Sequence, residues 1–149
     1  MMENERNKVI KLKVESRLDN VFLVGLAVRG ICSHNLNEKG ASQMEMCVVE
    51  AVTNAIQHSY HLQPGHDVDI VITLSSGKTE FLVCNTGEPM KTTQTAQIRL
   101  DPMDKRKLPK GGLGLYLIHR LMDEVTYENR DGVNIFRMCK HYKQKAPSK

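Results

Sequence analysis

The chain has no tryptophan, few cysteines and no long hydrophobic run, and each shortage excludes a class of protein. Its 149 residues include only four cysteines, which are far apart and form no C-x-x-C pair, so neither a cysteine-built zinc site nor a redox motif is expected. We expect these cysteines to be small buried residues kept reduced; they are Cys32, Cys47, Cys84 and Cys139. No run approaches the ~20 apolar residues that a membrane span requires, and the N-terminus has no apolar signal core. The expected protein is therefore cytoplasmic and does not bind membranes.

The excess of positive over negative charge is also small. The net charge is +4, and much of it lies in the end segments "NERNK" and "HYKQKAPSK". No basic patch interleaved with aromatic residues is present, so direct binding of nucleic acid is not expected. The length and the hydrophobic fraction of 40% predict one globular domain over residues 1–149, with residues 143–149 as a flexible tail.

Hydrophobic periodicity predicts the order β-α-α-β-β, then a polar segment, then α-β-β. The first strand is predicted at Val9–Val14, the first helix from about Ser16 to His34, and the second from about Ser42 to His61. Ser42 would cap the second helix, with Glu45 completing a capping box, and "NLNEKG" before it would be a break. Two strands joined by "SSGK" and two joined by "RDG" complete the pattern. This order predicts an α+β fold, a two-layer sandwich of a mixed, mostly antiparallel sheet with about three helices on one face.

The stretch "VVEAVTNAIQHSY" in the second helix places three polar side chains at intervals of four, namely Glu50, Asn54 and His58. Residues four apart share one face of a helix. This stripe is either a solvated surface or part of a phosphoryl-transfer site, in which a carboxylate takes a proton and an amide oxygen binds Mg²⁺. A zinc site built from His58, His61 and His66 is a much weaker alternative.

Two glycine-containing stretches follow. "VCNTGEPM" ends an apolar strand and is either an ordinary turn or a means of holding Asn85 at the rim of a pocket. "KGGLGLYLI" places glycines ahead of a helix, where exposed N–H groups suit a phosphate. It is neither a Walker loop nor a Rossmann fingerprint. Between the two, residues 91–110 are polar and interrupted by Pro102 and Pro109, which is typical of a functional lid or a disordered insert.

Three stretches resemble, in this order along the chain, the N-box, G1 box and G2 box of the GHKL ATPase superfamily. They are "VVEAVTNAIQHSY", "NTGEP" and "GGLGLYLIHRLMDEV". The resemblance spans roughly Val9 to Lys140 and is greatest to small bacterial anti-sigma factors that are also serine-protein kinases of partner-switching systems. It implies the Bergerat ATP-binding fold, with residues 91–110 as a mobile ATP lid.

The resemblance also implies roles for individual residues. Glu50 takes the place of the catalytic base, and Asn54 that of the Mg²⁺ ligand. The adenine pocket would include Asn85 and Gly87, and His58 would lie near the nucleotide without an assigned role. The phosphates would be bound by a basic residue and by backbone amides, in the segment Lys110, Gly111, Gly112, Leu113 and Gly114.

One residue departs from the family pattern. The G1 box usually carries Asp, whose carboxylate accepts a hydrogen bond from the adenine amino group, where this chain has Asn85. The carbonyl oxygen of an Asn side chain still accepts such a bond, but without charge assistance. We therefore expect weaker or less base-selective nucleotide binding than in a chain with Asp.

The resemblance implies an ATP- and Mg²⁺-dependent serine/threonine protein kinase that sequesters a sigma factor and phosphorylates a STAS-type antagonist. It also implies a homodimer formed through the N-terminal strand and helix. Two alternatives stay open, namely a nucleotide-gated partner-binding protein with little kinase activity, and a kinase of a STAS protein without a sigma factor partner.

Overall fold

The structure, a computed structural model, describes residues 7–91 and 112–143. The elements are β1 (Lys8–Glu15), α1 (Val21–Cys32), α2 (Glu38–Asn54), β2 (Asp67–Ser75), β3 (Lys78–Asn85), α3 (Gly112–Leu121), β4 (Glu124–Arg130) and β5 (Val133–His141). A short 3₁₀ turn (Leu18–Asn20) precedes α1, and a π-helical turn (Ala55–Ser59) continues α2. The predicted segment 91–110 and tail 143–149 lie almost entirely outside the described residues.

The strands form one sheet in the order β1-β2-β3-β5-β4, and every pairing between described strands is antiparallel. Both predicted hairpins are present. Gly77 has φ of 70° in the first turn, and Asp131 and Gly132 have φ of 53° and 83° in the second. Glycine and aspartate tolerate this left-handed conformation, which explains why these residues allow the strands to reverse so tightly.

One face of the sheet carries the core. Register places Ile10, Ile72, Phe81, Met138 and Val125 in one row across all five strands. All five belong to the hydrophobic core or pack against it. The buried residues of α1 and α2 belong to the same cluster, so these helices cover this face of the sheet. The strand residues between the core residues point to the opposite face of the sheet. The predicted α+β sandwich is confirmed.

The predicted start of α2 at Ser42 is wrong. The helix begins at Glu38, and Asn37 caps it, with Oδ1 accepting a hydrogen bond from the Gly40 N–H group at 2.8 Å. Asparagine is among the best N-cap residues, and the earlier start adds the fully buried Ala41 to the core face. The supposed break "NLNEKG" therefore contains the cap and the first turn.

The first helix also starts later than predicted. Ser16 ends the first strand segment instead, with its hydroxyl donating to the Gln63 carbonyl at 2.7 Å and accepting from the His66 N–H group at 3.1 Å. Ser16 is 1% exposed, so this pair of bonds joins the end of β1 to the loop before β2. The α-helical conformation begins only at Val21.

Candidate functional site

Glu50 lies on α2 and faces the first turn of α3. A side chain at position 114 would overlap the Glu50 carboxylate, because a Cβ atom built on Gly114 meets Oε2 and lies 3.0 Å from Cδ. Any side chain at position 114 would displace the Glu50 carboxylate, so glycine lets this carboxylate lie directly on the backbone of α3. Within the described part of the chain, no hydrogen bond or ion pair of this carboxylate is found.

Asn54 is one turn further along α2, on the same side as Glu50. Its Nδ2 atom is buried and has no hydrogen-bond partner, a state shared among the described residues only by the hydroxyl of Thr79. Leaving a buried polar group unsatisfied costs about 1–3 kcal/mol. Such a group in a native structure calls for an explanation, and a catalytic role or a bound water or ion is among those known.

The helix changes its hydrogen-bond pattern immediately after Asn54. The Tyr60 N–H group donates to the Ala55 carbonyl at 3.1 Å, five residues back, in a single π-helical turn. Such turns are frequent at functional sites. Here the turn leads to the Ser59 carbonyl, which accepts a hydrogen bond from the Glu88 N–H group at 2.9 Å and so joins the end of α2 to the segment after β3.

The segment after β3 packs tightly against this turn. A Cβ atom on Gly87 would overlap the Ser59 carbonyl oxygen and lie 2.7 Å from its carbon, so position 87 has no room for a side chain. The Tyr60 hydroxyl accepts from the Thr86 N–H group at 2.9 Å and donates to the Asp67 carbonyl at 2.7 Å. The "NTGEP" turn is therefore held against the π-helical turn after α2 by a backbone hydrogen bond to Ser59 and by the Tyr60 hydroxyl.

Asn85, the last residue of β3, is held by its cross-strand neighbour Asn134. Its Oδ1 atom accepts from the Gly87 N–H group at 3.0 Å and from Asn134 Nδ2 at 2.8 Å. A carbonyl oxygen has two lone pairs, so both are used. This differs from the expectation that the same oxygen faces an adenine amino group.

The predicted site residues divide into three groups. Glu50 packs against Gly114, with Asn54 one turn further along α2, while Asn85 and Gly87 lie at the turn that packs against Ser59 and Tyr60 after the end of α2. His58 lies in the π-helical turn and is exposed, and Gly112 and Leu113 form the start of α3. The remaining two predicted residues, Lys110 and Gly111, lie outside the described residues.

The histidines considered as zinc ligands do not converge. His61 bonds to Glu88 at 2.6 Å, and the His66 ring stacks on Tyr60 with ring centres 4.7 Å apart. Elsewhere in the described ranges, one group of three potential metal ligands converges, on the edge strand β4 and its neighbour β5; it consists of Glu124, Cys139 and His141.

The cysteines behave largely as expected. All four are free, and three of them are buried, with Cys84 half-buried. Burial raises the pKa of the Cys32 and Cys47 thiols to about 12, which keeps them protonated and unreactive. No helix in the described ranges combines the length and the apolar character needed to cross a membrane.

Sequence reasoning missed Asn134, Tyr127 and Tyr60, which hold the turn. Asn134 and Tyr127 lie in no recognisable motif, and Tyr60 ends the stretch "VVEAVTNAIQHSY" without an expected role. The one available indication was that Asn129 and Asn134 flank the predicted "RDG" turn, while Asn85 follows another predicted strand.

Comparison with known proteins identifies the family. Residues 14–140 match the family described as "Histidine kinase-like ATPase domain". The chain belongs to this family. It is 31% identical over 131 residues to the serine-protein kinase RsbW of Bacillus subtilis (strain 168), covering 85% of this chain and 81% of that protein. The corresponding kinase of Bacillus mycoides (strain KBAB4) is 28% identical over 136 residues, covering 88% of this chain and 84% of that protein.

A solved structure with the same fold contains the RsbU and RsbW domains of Rv1364c from Mycobacterium tuberculosis. It matches with a TM-score of 0.66 at 13% identity, covering 93% of this chain and 34% of that chain. The structural match supports the fold, and the sequence matches support the kinase class. The expected GHKL-type family and the expected protein serine kinase activity are confirmed.

Proposed function

We propose that this protein is an ATP- and Mg²⁺-dependent serine/threonine kinase of a partner-switching system. It phosphorylates a STAS-type anti-sigma factor antagonist and, in its other state, sequesters a sigma factor in the cytoplasm. The observation that carries the kinase proposal is the Glu50 carboxylate, which packs on the Gly114 backbone one turn from the unsatisfied amide of Asn54. The partners are inferred from the family to which the chain belongs.

The residues present suit the two cofactors. When bound, ATP supplies the phosphoryl group, and Mg²⁺ neutralises the charge on the phosphates. The Oδ1 atom of Asn54 is a hard oxygen ligand of the kind that Mg²⁺ prefers. The buried NH₂ group of the same side chain lacks a partner and can donate to a phosphate oxygen. The first N–H groups of α3, at Gly112, Leu113 and Gly114, have no partner within the helix and suit phosphate oxygens. We assign the same role to Lys110 and Gly111.

Within this arrangement Glu50 takes the proton of the attacking serine or threonine hydroxyl. It accepts no hydrogen bond within the described residues, so its oxygen atoms are available for that proton. Asn85 and Gly87 form the base end of the pocket, and His58 lies at the exposed edge. Most of the catalytic effect then comes from positioning, since the protein holds the hydroxyl and the phosphates in one place.

Incubation with labelled ATP and a purified STAS-domain protein tests the kinase proposal. Transfer of label to a serine or threonine of that protein is the expected result, and it requires Mg²⁺. Absence of transfer, together with nucleotide-dependent capture of the partner, would instead favour the alternative of a nucleotide-gated binding protein. The replacement of the usual Asp by Asn85 is the observation that favours this alternative.

Capture of a sigma factor is a separate test. Immobilised protein with ATP should retain a purified sigma factor, and an unphosphorylated STAS protein should release it. Phosphorylation of the STAS protein without any capture of sigma factors would support the other alternative, a kinase of a STAS protein without a sigma factor partner.

The outer face of α1 supports the proposal of a homodimer. Phe22, Leu23 and Leu26 are 70%, 59% and 49% exposed, although each is large and apolar. Exposed apolar groups that lie together on one helix face mark interaction sites. Phe22→Ser should convert a dimer to a monomer in light scattering, whereas Met46→Ser, a change at an exposed apolar residue of α2, should not.

A further inference from the structure

The orientation of the Asn85 amide follows from the backbone groups around it. The Gly87 N–H group needs an acceptor, and it finds one in Asn85 Oδ1 at 3.0 Å. The Gly87 carbonyl needs a donor, and it accepts from Asn134 Nδ2 at 3.0 Å. Because a backbone N–H group can only donate and a carbonyl can only accept, Gly87 determines which end of each amide faces it.

Asn134 is fixed in the same way from its other side. The Met90 N–H group donates to the Tyr127 hydroxyl at 2.6 Å, so the hydroxyl proton is directed to Asn134 Oδ1, at 3.1 Å. Asn129 Nδ2 donates to the same oxygen at 2.8 Å. Both hydrogens of the Asn134 NH₂ group are then used, one on the Gly87 carbonyl and one on Asn85 Oδ1.

The remaining polar group of Asn85 is its NH₂. Asn85 alternates along β3 with the buried residues Phe81 and Val83, so its side chain lies on the helix-covered face of the sheet. No hydrogen bond of its Nδ2 atom is found among the described residues. This atom is also not one of the fully buried polar atoms without a partner. The NH₂ group therefore keeps access to solvent at the end of the sheet next to Gly87.

We propose that Asn134 is a positioning residue that holds the Asn85 amide with its NH₂ group toward the nucleotide, so that the pocket accepts GTP as well as ATP. This inference rests on the proposed nucleotide site. Guanine presents a carbonyl oxygen at position 6, whereas adenine presents an amino group there and an acceptor nitrogen beside it. A donor from the protein finds an acceptor on either base, whereas a carboxylate would select the adenine amino group.

Calorimetric titration with the imido analogues of ATP and GTP, in the presence of Mg²⁺, tests this inference. For the unmodified protein we expect dissociation constants within about threefold of each other. Asn85→Asp replaces the free NH₂ group by an acceptor and keeps the bonds to Gly87 and Asn134. It should tighten the ATP analogue and weaken the GTP analogue, for a selectivity of about tenfold or more.

Asn134→Asp tests the positioning role without changing residue 85. The new carboxylate cannot donate to Asn85 Oδ1, so the Asn85 amide loses one of the two bonds that fix its orientation. The orientation that presents the Asn85 oxygen to the nucleotide should then become more populated. Selectivity should shift toward ATP, as in Asn85→Asp. Asn37→Asp is the matched control, because it adds the same charge while an Asp can still cap α2, and it should leave the affinity ratio unchanged.

The outcomes separate the inference from the proposed function. Binding of neither analogue would overturn both. Binding of the ATP analogue at least tenfold tighter than the GTP analogue by the unmodified protein would overturn the inference alone. An unchanged ratio in Asn85→Asp would do the same, so the test does not depend on whether the buried Asn134→Asp variant folds.

Discussion

The turn after β3 and the facing surface of α2 are neighbours, yet their polar groups are satisfied in different ways. At the turn, the N–H groups of Thr86, Gly87 and Glu88 all donate to partners within the protein. On α2, the Asn54 NH₂ group is buried without a partner, and the Glu50 carboxylate packs on a glycine backbone. The turn is therefore organised before any ligand binds, whereas the helix surface carries groups that a ligand would complete.

This difference fits two tasks within one pocket. A rigid turn suits contact with a base, because a side-chain amide that cannot rotate presents the same group to every ligand. A metal ligand and a proton acceptor must instead remain free of strong internal partners. The predictions below separate these two halves of the site.

Glu50→Gln is expected to have the largest effect, and it acts on the α2 half alone. The amide keeps the size of the side chain but cannot take a proton, so phosphoryl transfer to the STAS protein should fall by roughly 10²-fold or more. The affinity for the ATP analogue should change little. Glu38→Gln, a change in the exposed first turn of the same helix, should leave transfer intact, and an equal rate for both variants would remove Glu50 from the mechanism.

Asn54→Ala should weaken binding of Mg²⁺ and the ATP analogue by about tenfold or more, because it removes the proposed metal ligand. The nucleotide-free protein should become more stable by about 1 kcal/mol, since the variant no longer buries an unsatisfied NH₂ group. Calorimetry and urea unfolding measure the two effects. Tight binding by the variant would show that α2 does not provide the metal ligand.

Gly87→Ala should break the turn half of the site. The new methyl group would overlap the Ser59 carbonyl oxygen, which the Glu88 N–H group already holds, so the free energy of unfolding should fall by about 1–3 kcal/mol. Gly30→Ala is the control, because no atom lies within 4 Å of its Cβ position in α1. That change should stabilise the protein by about 0.5–1 kcal/mol through helix propensity. Equal stabilities in urea would contradict the close contact at Gly87.

The reactivity of two cysteine thiols compares the turn and α2 directly, and we expect it to affect neither catalysis nor stability. Cys84 precedes the turn and is half-buried, while Cys47 on α2 is buried with its pKa raised to about 12. Only the thiolate reacts, and at pH 8 such a thiol is ionised in about one molecule in ten thousand. Ellman's reagent should therefore label Cys84 before Cys47. A Cys84→Ser variant should lose the fast reaction, and an unchanged fast phase would assign it to another cysteine.

Several features of the fold were predictable because they depend on neighbours along the chain. Alternation of apolar residues located the strands to within about a residue, since a strand that covers a core buries every second side chain. The predicted start of α2 was wrong because the sequence has two possible N-cap residues five positions apart, Asn37 and Ser42. Burial of Ala41 and Met44, which only packing reveals, favours the earlier one.

The sequence by itself determined that Glu50 and Asn54 share a face, that a glycine turn follows an apolar strand, and that glycines open the helix after it. These relations are local, because spacing along a helix or strand sets them. Only the tertiary structure decided which atom of Asn85 remains free. That choice depends on Asn134, which lies 49 residues away in sequence and opposite Asn85 in the register of β3 and β5. Hydrogen-bond saturation is a property of all the groups around an atom, and strand pairing brings those groups together from distant parts of the chain.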